Sequence, residues 1–183
     1  CWGVGNELDG YAHRTIRYVD QMVRYFKAKD STRLVNYVSS SLSLPGKFKC
    51  DEAALHGDIV MWNDYLGLWH PCKNVEKHIW ETAEKCKGKP LVISEFGLCE
   101  PHFSGGDERR SKILSGRLAL YRTVGNICGY VWFSLNDYRT QMGESGEGRF
   151  RCRIHGSTDL YGAEKPSYRL FCAENEQTTA MKK

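Results

Sequence analysis

The 183-residue chain carries 26 Lys and Arg against 22 Asp and Glu, a formal net charge of +4, with 41% hydrophobic and 26% charged residues. Its basic residues are scattered, only Arg109-Arg110 and Lys182-Lys183 being adjacent, so no nucleic-acid partner is expected. No apolar run approaches the roughly 18–20 residues of a membrane helix, so no membrane partner is expected either.

In chain order, short apolar runs alternate with amphipathic stretches, the pattern of βα units on a parallel sheet. Trp2-Gly3-Val4-Gly5 reads as a first strand ending at Asn6-Glu7, followed by a helix over 12–29 in which Ile16, Val19, Met22, Val23 and Phe26 fall at helical spacing. A second strand, Arg33–Val38, runs into the Ser-rich stretch 39–43, and a third is expected at Asp58–Trp62. A helix at about 74–86 and Gly88 then lead to a fourth strand, Leu91–Ser94, ending at Glu95. Gly105-Gly106 precedes a helix at about 108–124, and a fifth strand is expected at Tyr130–Ser134. After a Gly-, Arg- and Glu-rich loop through Arg153 comes a closing helix at about 166–174. Residues 1–174 read as one domain and 175–183 as a disordered polar tail.

The eight cysteines, at 1, 50, 72, 86, 99, 128, 152 and 172, show no CxxC or paired Cys/His spacing. They are expected to be free, mostly buried thiols, and neither metal nor cofactor is expected. The chain opens on Cys1 with no signal peptide in view, so an upstream sequence is expected and the localisation is not read. Aromatic residues make up 12%, with five Trp, and fit core filling more readily than a sugar-stacking surface.

Five strands are too few for a closed barrel and too regularly spaced for an α+β fold. This leaves an open doubly wound sheet, or strands 4 to 8 of a (β/α)₈ TIM barrel, a partial barrel of the α/β class. Residues that make poor core recur at the C-terminal ends of the strands: Asn6-Glu7, Trp62-Asn63-Asp64-Tyr65, Glu95, and Trp132 with Asn136-Asp137. In barrels that edge carries the active site. Two of these residues are carboxylates, Glu7 and Glu95. Cleavage of a glycosidic bond with retention needs two carboxyls about 5–5.5 Å apart, one protonated and one ionised.

The motifs around them resemble glycoside hydrolase family 2, the family of β-galactosidases, β-mannosidases and β-glucuronidases. Trp2–Glu7 is similar to the segment in which Asn-Glu closes the family's fourth strand, and Leu91–Gly97 to the Ser-Glu-aromatic-Gly segment that closes its seventh. Asp58–Trp69 resembles its sixth strand and Gly129–Tyr138 its eighth. The stretch from His155-Gly156 to Lys165-Pro166-Ser167-Tyr168 resembles its closing helix. The resemblance implies the C-terminal half of the catalytic barrel, with Glu7 as acid/base and Glu95 as nucleophile.

It further implies that Asn6 bonds the sugar 2-hydroxyl, that Tyr65 holds Glu95 ionised, and that Trp132 floors the sugar subsite. Asn63 and Asp137 are expected to bond substrate or the groups behind it, with a turn or helix-cap role as the alternative, and His102 is expected to line the cleft. No Asn-x-Lys clamp for a sugar carboxylate appears in 148–161. This points to a neutral, β-galactosidase-like substrate, although Arg139, Arg149, Arg151 and Arg153 keep an acidic one open.

The expected partners are a carbohydrate substrate and either a missing N-terminal barrel half or a second copy of the chain. Two other readings stand beside this one: a retaining barrel hydrolase of the cellulase or mannanase type, and an inactive sugar-binding fragment.

Overall fold

A computed structural model describes residues 1–99, 106–141 and 151–180. Among them the chain forms β1 (Trp2–Asn6), α1 (His13–Lys29), β2 (Val35–Ser39), a 3-10 turn (Ala53–His56), β3 (Val60–Asn63), α2 (Val75–Lys85) and β4 (Leu91–Phe96). Then follow α3 (Gly106–Thr123), β5 (Ile127–Trp132), the two-residue strands β6 (Tyr138–Arg139) and β7 (Cys152–Arg153), and α4 (Pro166–Ala180). Two compact units divide the chain: Cys1–Phe96 with Val124–Val131, and Gly97–Thr123 with Trp132–Lys183.

The first unit holds the sheet, whose order is β1-β2-β3-β4-β5. The pairs β1/β2, β2/β3 and β3/β4 are parallel, and β4 meets β5 where the Leu91 N–H donates to the Asn126 carbonyl at 2.9 Å. A doubly wound sheet reverses its strand order at a switch point, whereas a barrel adds each strand beside the last. The unbroken order is that of the barrel.

Alternation sets which side chains fill the core. Val60 and Trp62 on β3, and Leu91 and Ile93 on β4, have no exposed surface, while Met61 and Val92 between them are half-buried. Helix α1 buries less than its period suggests: of its five spaced apolar residues only Val19 is fully buried. Helix α2 starts where the Asn74 side chain accepts the Lys77 N–H at 3.0 Å, an N-cap.

In the second unit the buried Arg110 guanidinium donates to the carbonyls of Leu98, Ile154 and Gly156 at 3.1, 2.5 and 3.0 Å and to Asp107 at 2.8 Å. Asp107 in turn accepts the N–H and hydroxyl of Ser167, each at 2.8 Å, and so caps α4.

Several elements differ from the sequence expectation. Strand β2 begins at Val35 rather than Arg33, because Asp30 accepts from the N–H and hydroxyl of Thr32 at 3.0 and 2.6 Å and holds 30–33 in a turn. Strand β5 runs from Ile127 to Trp132 instead of Tyr130–Ser134. Its pairing starts at Asn126, and beyond it the Ser134 N–H goes to the His155 carbonyl at 3.2 Å. Helix α4 continues to Ala180, past the point at which the sequence places a disordered tail, and the favourable helix propensity of Glu and Gln fits this extension. The cysteines are free, but only Cys86, Cys99 and Cys152 are buried; Cys1, Cys50, Cys128 and Cys172 are exposed. The expectation of mostly buried thiols is therefore corrected.

Candidate active site

Two strand ends depart from regular pairing, and both carry site residues. Along β1 and β2 the partners step from Gly3↔Asn36 to Asn6↔Val38, and along β3 and β4 from Trp62↔Ile93 to Asn63↔Glu95. Each step inserts one extra residue in one strand, which re-aims the side chains beyond it. The second irregularity sets Asn63 opposite Glu95 rather than Ser94.

Glu7 leaves β1 with a backbone φ of 55°, a left-handed conformation that costs a non-glycine residue about 1–3 kcal/mol. Its N–H donates to the Val38 carbonyl at 3.0 Å. The side chain is exposed, whereas that of Glu95 is half-buried.

Between the two glutamates lies Asn63, which has no exposed surface. Its Nδ2 donates to Glu7 Oε1 at 2.9 Å and, more weakly, to Asn6 Oδ1 at 3.4 Å. Its Oδ1 accepts from Ser94 Oγ at 2.8 Å, and on the sheet Asn63 stands opposite Glu95. Glu95 Oε2 accepts from the Tyr65 hydroxyl at 3.0 Å, and the Glu95 carbonyl accepts the Asp64 N–H at 2.8 Å.

Burial pushes the Glu95 carboxyl above the ordinary glutamate value. The Tyr65 hydrogen bond pulls it down, the neighbouring Glu7 carboxylate pushes it up, and the Asn63 amide nearby pulls it down; the net direction is upward.

The first unit thus brings together Asn6, Glu7, Asn63, Tyr65 and Glu95. Trp132 and Asp137 belong to the second unit. Trp132 is 6% exposed. Asp137 accepts from Lys165 Nζ at 2.8 and 2.9 Å and from the Gly156 N–H at 2.8 Å. His102 and Arg149 lie outside the described residues. Sequence reasoning assigns no role to Ser94, which orients Asn63; its one signal is a hydroxyl inside an otherwise apolar strand. Among the described residues no group of three His, Cys, Asp or Glu could hold a metal ion, and no helix is long and apolar enough to cross a membrane.

Comparison with known proteins supplies the family. Residues 1–118 match the model of "Glycosyl hydrolases family 2, TIM barrel domain". Beta-glucuronidase of Pongo abelii is 23% identical over 167 residues, covering 70% of this chain, and that of Mus musculus is 28% identical over 102 residues, covering 52%. The chain spans only 25% and 15% of those two relatives. Among solved structures, a GH2 beta-galacturonidase from Eisenbergiella tayi bound to galacturonate aligns with a TM-score of 0.80 at 19% identity, over 96% of this chain and 33% of that one. A beta-D-glucuronidase of Dictyoglomus thermophilum aligns at 0.76 and 16%, over 95% and 31%. A putative beta-galactosidase from Bacteroides fragilis aligns at 0.74 and 14%, over 94% and 27%. At these identities the structures speak for the fold, and the family match covers well over half of the sequence: the chain belongs to glycosyl hydrolases family 2, within its TIM barrel domain.

Proposed function

We propose that this chain carries both working glutamates of a retaining β-glycosidase, which cleaves an O-glycosidic bond through a covalent glycosyl-enzyme. The observation behind this reading is the buried Asn63, hydrogen-bonded to Glu7 and paired on the neighbouring strand with Glu95, whose carboxylate accepts from Tyr65. Glu95 is the nucleophile: it is the less exposed of the two and accepts a hydrogen bond from Tyr65 that favours its anion. Glu7 is the acid/base: it is exposed, as a group must be that protonates a departing alcohol and then activates an incoming water. Asn6 bonds the sugar 2-hydroxyl.

The family match favours this reading over a cellulase or mannanase. Five strands do not close an eight-stranded barrel, and in this proposal the remainder comes from an N-terminal barrel half or a second copy. An incomplete, inactive sugar-binding fragment is the alternative, and it would bind sugars without turnover.

For the substrate, the missing Asn-x-Lys run in 148–161 supports a neutral, β-galactoside-like sugar. A uronide is the second reading, favoured by the glucuronidase and galacturonidase relatives. Kinetics of the full-length protein on aryl β-galactoside, β-glucuronide and β-galacturonide, with NMR of the first-formed anomer, test both levels. Retention with loss of turnover in Glu95→Gln is the expected result, and the preferred aglycone-matched sugar names the substrate class. Inversion, or turnover that survives Glu95→Gln, would refute the mechanism.

A further inference from the structure

The turn that presents Glu7 has a second anchor outside the carboxylate network. Tyr37, on β2, has no exposed surface, and its hydroxyl donates to the carbonyl of Leu8, the residue after Glu7, at 2.8 Å. The ring lies along Gly5: a Cβ at that position would stand 3.3 Å from the ring edge, so the close approach of Tyr37 to β1 depends on this glycine. Glu7 is consequently held on both sides of its left-handed backbone, by its own N–H on the Val38 carbonyl and by the Leu8 carbonyl on Tyr37. Nothing in the Glu7 side chain favours that conformation, and a residue in this region persists only where its surroundings impose it.

We propose that Tyr37 is a positioning residue for the acid/base: its hydroxyl, through the Leu8 carbonyl, fixes the backbone from which the Glu7 carboxyl reaches the leaving-group oxygen. Burial, followed by the Glu52 carboxylate, pushes the Tyr37 phenol far above its ordinary value, so the hydroxyl stays a donor throughout any working pH. A displacement of about 1 Å at a catalytic group can cost about 10²-fold in rate. The loss should fall only on steps that need the Glu7 proton. This inference rests on the reading of Glu7 as acid/base.

The test is Tyr37→Phe in the full-length protein, which keeps the ring beside Gly5 and removes only the donor. Rates are normalised to the sites that a fluorinated glycoside inactivator can label, so that misfolded protein is not counted. For glycosides with poor leaving groups kcat/KM should fall about 10–100-fold. For a dinitrophenyl glycoside, which departs without a proton, it should fall less than about 3-fold, and azide should restore part of the lost turnover as it does when a general base is missing.

Equal losses on both substrates, or no loss on either, overturn the proposal. Should Tyr37→Phe leave no labelled sites, 3-fluorotyrosine at position 37 keeps ring and hydroxyl while altering the donor's strength. A change in the poor-to-good leaving-group ratio then supports the proposal, and an unchanged ratio overturns it. Glu7→Ala, measured alongside, separates the two levels: if it shows no leaving-group dependence, the acid/base reading itself fails. If Glu7→Ala shows the dependence and Tyr37→Phe does not, only the role of Tyr37 fails.

Discussion

Asn63 donates from Nδ2 to Glu7 Oε1 across 2.9 Å, from a side chain with no surface exposed to solvent. A buried donor fixes the orientation of the carboxylate it bonds. Asn63→Ala removes this hold on Glu7 and is predicted to lower kcat about 10²-fold with little change in KM, because the interaction is with a reacting group and not with the sugar. Asn63→Asp should be worse, since it sets a third carboxylate between the two. Steady-state kinetics of the two variants check this; a raised KM at unchanged kcat would make Asn63 a substrate ligand instead.

The Tyr65 hydroxyl donates to Glu95 and favours its anion, against the burial and the Glu7 charge that push its carboxyl up. A nucleophile must be ionised to attack, so the acid limb of kcat/KM should lie above the ordinary glutamate value of about 4.3. Tyr65→Phe takes away a downward pull, and the limb is predicted to move to higher pH. A pH–rate profile in which the limb stays in place or moves to lower pH would contradict this.

The raised carboxyl also has a signature in stability. Folded Glu95 binds its proton more tightly than the unfolded chain does, so its favourable contribution is full below about pH 4.3 and is lost as pH rises through the folded value. Gln mimics the protonated form at every pH. Glu95→Gln should therefore be the more stable protein at pH 7, with the difference shrinking as pH falls through that window. Urea midpoints at pH 7 and pH 4 measure it, and a variant less stable than the parent at pH 7 would count against the account.

Much of the strand edge that carries Asn6, Glu7 and Glu95 can be read from the chain because its signals are local. Apolar runs ending in Asn6-Glu7 and Ser94-Glu95 mark strands β1 and β4, whereas regular βα spacing alone leaves a doubly wound order open, and the pairing of the strands decides it. The irregular registers beside Asn6 and Asn63 leave no mark in composition, since one inserted residue changes pairing without changing pattern. The partners of Asp137 are equally hidden: Lys165 lies 28 residues away and is set by tertiary packing. Helix α1 shows the converse, a clear 3.6-residue period whose face is mostly only half-buried. Period reports amphipathicity, and the neighbouring elements decide how much of that face is covered.

The central claim, that Glu95 forms the covalent bond to the sugar, is tested most directly by inactivating the full-length protein with a 2-deoxy-2-fluoro glycoside and mapping the adduct by peptide mass spectrometry. The account predicts one adduct, on Glu95 within the stretch Leu91–Phe96, and none in Glu95→Gln. An adduct on Glu7 or on any other carboxylate would contradict it.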